Sequence, residues 1–185
     1  MAGRVFQLKA TLVGTKPPVW RRVLVEESAS LLELHDVLQA AFGWYDCHLH
    51  DFEIDGVRYG TDDGEGWGPP PKSERHARLG AVARQGVAIK YVYDFGDDWV
   101  HRVVVEKVSQ ADPDVSYPRC TGGKRACPPE DCGGVWGYEE FLAAISDPDH
   151  PEHESTLEWA GGAFNPEAFD PASVAVAPGM AALFR

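Results

Sequence analysis

The sequence predicts an α+β fold in which one well-defined helix packs on a mainly antiparallel sheet. Three pairs of strand-like segments are each joined by a short turn rich in Gly, Pro or Asp, which is typical of hairpins. One amphipathic segment follows the first pair, and the remaining helical patterns come after the last pair. This order, with strands and most helices in separate parts of the chain, is typical of an α+β fold.

The first hairpin and the helix after it have the clearest signals. Residues 5–13 and 19–25 alternate as strands do, on either side of a turn at 14–18. Ser28 or Ser30 can cap the helix, and Glu33 stands in capping-box position relative to Ser30. The helix should end at Gly43. Its apolar stripe consists of Leu31, Leu34, Val37, Leu38 and Ala41.

The later elements follow the same rules. Strands are predicted at 48–54, 57–59, 87–95 and 99–108, with turn signals at Asp55–Gly56 and at 96–98. A loop is predicted over 61–76, and a short helical turn at 77–84. Helices are predicted at about 137–146 and 151–160, and a last one begins at Asp170–Pro171 and ends near Pro178.

The length and composition of the chain predict one domain over 1–185. It consists of a sheet-and-helix core (1–110) and an appendage (111–185) with a cysteine loop and acidic helices. A hydrophobic content of 44% and 20 aromatic residues suffice for a core. No apolar run approaches the roughly 18 residues of a spanning helix, and the N-terminus lacks signal-peptide features. We therefore expect a cytoplasmic protein.

The charge argues against direct binding to nucleic acid. The net charge is −12, and residues 111–185 carry 4 basic and 13 acidic side chains. Binders of DNA or RNA concentrate Lys and Arg on one face, whereas the basic pairs here are limited to Arg21–Arg22 and Lys124–Arg125.

Three cysteines, Cys120, Cys127 and Cys132, lie in the Gly- and Pro-rich run YPRCTGGKRACPPEDCGG. Clustered thiolates suit zinc, which then needs a fourth ligand. His50 or His101 is the preferred fourth ligand, with His48 a weaker candidate. The alternative is that the cysteines are small buried hydrophobic residues. Cys47 lies far from them and is expected to be a half-buried thiol.

A second candidate site is the turn in YDFGDDWVH. Asp94, Asp97 and Asp98 gather there, with His101 one step further along the strand, and together they could hold a divalent ion or supply a general base. The alternative is an ordinary turn, because Asp and Gly are favoured turn residues.

Local patterns also predict the surroundings of other histidines. His48 and His50 should point to the same face of their strand because strand side chains alternate. His35, on the predicted helix, and His150 and His153, among acidic residues, are expected to be solvated.

Four sequence blocks resemble the plasmid pRiA4b ORF-3-like family, whose members are also labelled passenger proteins of insertion elements. The blocks are KPPVWRRVLV, LLELHDVLQAAFGWYDCHLHDFEI, YVYDFGDDWVHRVVVE and YPRCTGGKRACPPEDCGGVWGYEEFL, within about 5–170. The matching residues are Trp20, Arg21, His48, His50, Asp94, Gly96, Asp97, Asp98, Trp99, His101, Cys120, Cys127, Cys132 and Trp136.

The resemblance implies a compact α+β domain that is often encoded on mobile or plasmid DNA, and it implies no particular reaction. This chain departs from the family pattern at Cys47 and in its Ala- and Pro-rich tail after Asp170. The resolvase-like name used in the family would require a nucleophilic serine among arginines and a basic DNA-binding region, and neither pattern is evident here.

Three functional hypotheses follow. The first is a non-enzymatic accessory module of mobile-element origin with a structural zinc site, which binds a protein or small-molecule partner. The second is a metal-dependent hydrolase in which His48, His50, Asp97 and His101 form an open site and Asp98 acts as the base. The third, an accessory role in DNA transposition, rests on the family alone and predicts salt-dependent DNA binding.

Overall fold

A computed structural model describes residues 3–61 and 69–175, and within them eight strands form one sheet in the order β5-β4-β3-β6-β7-β1-β2-β8. Neighbouring strands are antiparallel except β4 and β5. This confirms the α+β prediction. The strands are β1 (Arg4–Leu12), β2 (Trp20–Glu26), β3 (His50–Ile54), β4 (Val57–Gly60), β5 (Lys72–Ser73), β6 (Ala88–Tyr93), β7 (Trp99–Gln110) and β8 (Arg119–Lys124).

The described helices are α1 (Leu31–Phe42), α2 (Leu79–Val82), α3 (Gly134–Ser146) and α4 (His153–Trp159), and a 3-10 turn spans Pro171–Ser173. The structure selects Ser30 as the cap of α1. Its Oγ accepts from the Glu33 amide at 3.1 Å, and its own amide donates to Glu33 Oε2 at 2.7 Å. Gly43 ends the helix in the left-handed region, where a residue without Cβ is least strained.

The core lies between α1 and one face of the sheet. Strand residues alternate between buried and partly exposed along β1 and β2, as the half-buried pattern predicts. The predicted stripe of α1 is buried in full. Aromatic rings fill the middle of this layer, with Trp99, Tyr91 and Phe52 fully buried.

Several predicted boundaries need correction. Cys120 was placed in a loop of the appendage, but it lies on β8, an edge strand that pairs with β2. Helix α3 begins at Gly134 rather than at 137, because two successive glycines with positive φ let the chain turn directly into it. Part of the predicted loop 61–76 forms β5. Residues 62–68 and Pro178 lie outside the described residues.

A close backbone contact joins the segment that contains Cys127 and Cys132, which we call the cysteine segment, to the turn between β6 and β7. The amide of Gly133 donates to Asp97 Oδ2 at 3.1 Å, and a Cβ on Gly134 would lie 2.5 Å from the carbonyl oxygen of Asp97. Since real Cβ atoms do not approach so closely, Gly134 permits this docking. The segment before α3 is thereby held against the turn between β6 and β7.

No helix within residues 3–61 and 69–175 is long and apolar enough to cross a membrane.

We expect Ser30→Ala to lower the free energy of unfolding by about 1 kcal/mol, because it removes the cap of the helix that covers the core. Ser28→Ala is the matched control, since Ser28 is exposed and does not cap α1. Urea unfolding followed by circular dichroism measures both. Equal losses in the two variants would contradict the capping assignment.

Candidate metal centre

Side chains with metal-binding atoms converge where three connecting segments meet at the end of the sheet. Two groups of three residues share one member, and within each group the ligand atoms all lie within 4.8 Å of one another. One contains Cys47, His48 and Glu130, and the other contains His48, Asp94 and Asp131. We call the five residues together the His48 cluster. His48 is common to both groups.

The Nε2 atom of His48 is the centre of this cluster. It lies 3.0 Å from Asp131 Oδ1, 3.6 Å from Asp94 Oδ2 and 3.9 Å from Glu130 Oε2. Despite these short distances, Nε2 is buried and makes no hydrogen bond with proper geometry. This ring nitrogen therefore lies among three carboxylates without a hydrogen bond.

Glu130 is oriented by contacts to only one of its oxygens. Oε1 accepts from the amide of Tyr45 at 2.8 Å and from the hydroxyl of Tyr93 at 3.1 Å. Oε2, which faces His48, is buried without a hydrogen-bond partner. Trp44 Nε1 adds a hydrogen bond to the carbonyl of Pro128, so two successive residues after α1 hold the segment that carries Glu130.

Asp94 performs two tasks in the turn after β6. Its Oδ1 accepts from the amides of Gly96 and Asp97 at 2.9 and 3.3 Å, which is the ordinary role of Asp in a turn. This leaves Oδ2 on the side of His48. Asp94 and Asp131 both have positive φ, a conformation that Asp tolerates better than most residues.

A second buried cluster fixes the segment that carries His48. Asp46 Oδ1 accepts from His35 Nε2 at 2.8 Å, and the Asp46 amide donates to Gln39 Oε1 at 2.9 Å. Both partners lie on α1. His35, predicted to be solvated, is fully buried, and this is a correction. Burial lowers the pKa of His35, although the bond to Asp46 opposes that shift.

His50 belongs to this second cluster and not to the His48 cluster. Its ring stacks on His35 with centroids 3.5 Å apart, and its Nε2 lies 2.8 Å from Oε2 of the buried Glu74. The prediction that His48 and His50 share a strand face was wrong, because β3 begins only at His50 and His48 lies in the preceding loop. Within the second cluster, ligand atoms of His35, Asp46 and His50 lie within 4.8 Å of one another.

The other members of the predicted hydrolase site lie elsewhere. His101 is fully buried beside Phe42 and Trp44, its Nδ1 is 3.3 Å from the carbonyl oxygen of Tyr91, and burial lowers its pKa to about 3. Asp97 binds the Gly133 amide, and Asp98 is exposed in the turn. None of these three belongs to a group of metal-binding atoms among the described residues.

The three cysteines of the predicted zinc site form no ligand group in the described part of the chain. No group with atoms within 4.8 Å contains Cys120, Cys127 or Cys132 there. Burial raises the pKa of Cys127, and it raises the pKa of Cys132 to about 12, so both are protonated thiols in this arrangement. Zinc on these cysteines stays a prediction.

The carboxylates of the His48 cluster affect the pKa values of two side chains, Tyr93 and Cys47. Burial first, and then the hydrogen bond to Cys47 and the charge of Glu130, raise the pKa of Tyr93, so its hydroxyl remains a donor. Desolvation and the nearby carboxylates likewise raise the pKa of Cys47. Cys47 was expected to be half-buried, and the structure places it as exposed.

Sequence comparison assigns the chain to a family. The family described as Plasmid pRiA4b ORF-3-like protein matches residues 4–173. The chain belongs to this family. It is 44% identical over 163 residues to the uncharacterized protein y4hQ of Sinorhizobium fredii (strain NBRC 101917 / NGR234), covering 87% of this chain and 83% of that protein.

A solved relative shares the whole fold. The crystal structure of protein MM3350 of unknown function, from Methanosarcina mazei Go1, superposes with a TM-score of 0.86 at 41% identity. The match covers 95% of this chain and 99% of that chain. The α+β fold is therefore also that of an experimentally determined relative.

Sequence reasoning missed Glu130, Asp131, Glu74 and His35. A signal existed for His35, which lies four residues after Leu31 and three before Leu38, on the buried stripe of α1. Glu130 and Asp131 had no local signal, since they lie in a Pro- and Gly-rich run and only the fold brings them to His48. Glu74 had no local signal, since only the fold brings it to His50.

We expect Tyr93→Phe to lower the free energy of unfolding by about 1 kcal/mol, because it removes a hydrogen bond to the partly buried Glu130 carboxylate. Tyr45→Phe is the matched control, because that ring is 78% exposed and its contact to Glu130 uses the backbone amide. Thermal unfolding measures both variants. An unchanged Tyr93→Phe protein would refute the anchoring role of this hydroxyl.

Proposed function

We propose that this protein is a zinc-binding accessory module whose metal site is the His48 cluster. In this proposal His48 supplies a nitrogen ligand, Glu130 and Asp94 supply buried oxygens, and Asp131 supplies an oxygen at the solvent edge. Cys47 stands at the rim as an additional ligand. The proposed site therefore differs from the one predicted by the sequence, which consisted of Cys120, Cys127 and Cys132. It uses Glu130 and Asp131, which lie between Cys127 and Cys132 in the sequence.

One observation carries the proposal. His48 Nε2 and Glu130 Oε2 are both buried, both without a hydrogen-bond partner, and 3.9 Å apart. A buried carboxylate oxygen left unsatisfied costs several times what an ordinary hydrogen bond contributes. A cation between the two atoms would satisfy both at once.

The donor types favour zinc. Imidazole nitrogen, carboxylate oxygen and one thiol form a mixed set that suits a borderline-soft ion, whereas Mg²⁺ and Ca²⁺ prefer oxygens alone. The positions of Glu130 and Asp94 are also fixed before any ion binds, through Tyr93 and Tyr45 for one and through the turn amides for the other. Such second contacts to ligands are what established metal sites use.

We expect Glu130→Gln to weaken zinc binding at least about tenfold. The amide oxygen can still accept from Tyr93 and Tyr45, but an NH₂ group would stand where Oε2 faces His48. Glu139→Gln, an exposed position on α3, is the matched control. Isothermal titration with zinc and metal analysis of the dialysed proteins give the affinity and the stoichiometry.

The same titration on Cys127→Ser separates the two zinc sites. Binding that survives Cys127→Ser and fails in Glu130→Gln supports the His48 cluster. The reverse result returns the metal to the predicted cysteine site. Absence of zinc binding in the unaltered protein would overturn the proposal.

Metal-dependent hydrolysis is a second candidate, favoured by the solvent exposure of Asp131. The side chain of Asp131 is 69% exposed, while those of Asp94 and Glu130 are nearly buried. A site with ligands on one side and solvent on the other leaves room for a metal-bound water, as catalytic zinc sites do. In this candidate His48, Asp94 and Glu130 would hold the ion, and Asp131 would not be a ligand but would take the role of base that the sequence suggested for Asp98.

If the hydrolase candidate is right, the zinc-loaded protein cleaves an activated phosphodiester such as bis-p-nitrophenyl phosphate faster than Glu130→Gln. Asp131→Asn should then lower the rate about 10²-fold or more while zinc stays bound, because the base is lost and the buried ligands remain. Release of p-nitrophenol measures the rate. Equal rates for the unaltered protein and Glu130→Gln would exclude this activity at the site.

The remaining parts of the proposal rest on sequence. A mobile-element origin is supported by the family description, which refers to a plasmid reading frame. A cytoplasmic location is supported by the cysteine usage. A role in transposition has the same support as the mobile origin and is opposed by the net charge of −12.

A further inference from the structure

Large apolar side chains that are exposed concentrate around the His48 cluster. Among the described residues six such side chains are exposed, and four of them lie in the three segments that build the cluster. We call these four the aromatic rim: Tyr45, Leu49, Phe95 and Trp136. Trp136 is 81% exposed and Tyr45 is 78% exposed, which is unusual for rings of this size.

The backbone places each rim residue beside the cluster. Tyr45 donates its amide to Glu130, the carbonyl of Leu49 accepts from the Asp94 amide at 2.9 Å, and Phe95 follows Asp94. Trp136 lies in the first turn of α3, two residues after the glycine that packs on Asp97. Each of the three segments that build the cluster therefore carries at least one rim residue.

The three segments that build the cluster carry negatively charged side chains and no Lys or Arg. They are residues 44–50, 94–98 and 126–136. The nearest basic residue in sequence, Arg125, is buried and paired with Glu167. Asp46 is paired with His35, and the other five carboxylates of the three segments are Asp94, Asp97, Asp98, Glu130 and Asp131. A single divalent ion would leave most of the negative charge of these five uncompensated.

We propose that the aromatic rim and the carboxylates inside it form a docking surface for a basic, extended segment of a partner protein. Arg and Lys side chains bind carboxylates directly and also stack on Tyr, Phe and Trp rings, so this surface offers both contacts to one residue type. Apolar residues of the partner would cover Leu49 and Phe95. The charge excludes nucleic acid and anionic lipid as occupants, because both would be repelled.

The proposal does not depend on the metal. Without zinc the surface is more negative, so a basic partner should bind somewhat more tightly after chelation. A failure of zinc binding would therefore leave the docking surface intact, and a failure of peptide binding would leave the metal site intact.

A labelled peptide tests the proposal on the full-length protein. The probe is a short fluorescein-labelled peptide repeating Arg-Leu-Gly, and its counterpart repeats Glu-Leu-Gly. We expect saturable binding of the first by fluorescence anisotropy, with and without chelator, and none of the second. Raising the salt from about 50 to about 500 mM should weaken binding about tenfold or more, since exposed charges are screened.

Variants locate the surface. Trp136→Ala and Tyr45→Ala should each weaken binding about fivefold or more, as loss of a ring at a contact centre does. Trp159→Ala is the matched control, because Trp159 is 52% exposed but packs against Phe141 on the α3–α4 side. Circular dichroism verifies folding of every variant.

Three results would overturn the proposal: no binding of the arginine peptide, equal binding of the glutamate peptide, or equal losses in Trp136→Ala and Trp159→Ala. Binding that is unaffected by salt would also contradict it, because the carboxylates would then have no part in recognition.

Discussion

The close approach of the cysteine segment to the β6–β7 turn is the constraint on which the rest of the site depends. Gly134 lies where a Cβ would collide with the Asp97 carbonyl, and Gly133 donates to the Asp97 carboxylate. Because the two backbones meet so closely, Glu130 and Asp131 arrive beside Asp94 and His48, although they are separated from them by more than 30 residues of chain. The acidic C-terminal third thus contributes Glu130 and Asp131 to the site, and Cys47, His48 and Asp94 come from the loops at the end of the sheet.

A group of largely buried polar side chains lies beside that site, under α1. His35 is hydrogen-bonded to Asp46 and to Tyr91, His50 is hydrogen-bonded to Glu74, and the two imidazole rings stack. Buried polar pairs of this kind often stabilise a fold less than apolar side chains of similar volume. Asp46, which has a positive φ, is held to α1 by these bonds, and it stands two residues before His48 in the loop that precedes β3.

Local patterns predicted most of the fold, because the helix cap, the apolar stripe and the hairpin turns are encoded within a few residues. The capping box of Ser30 and Glu33 is an example that needed no tertiary information. The site was predicted only in part. His48 and Asp94 were named, but Glu130 and Asp131 join them through the Gly134 contact, which no pattern of spacing reveals. The separation of His48 from His50 depended on a left-handed residue at Asp46, and β8 was hidden because its Gly-rich run reads as a loop.

The most direct test of this account is X-ray absorption at the zinc edge on the zinc-loaded protein. The His48 cluster predicts nitrogen and oxygen scatterers at about 2.0–2.2 Å and at most one sulfur, from Cys47. Three sulfurs at about 2.3 Å would place the ion on Cys120, Cys127 and Cys132 and would contradict the central claim.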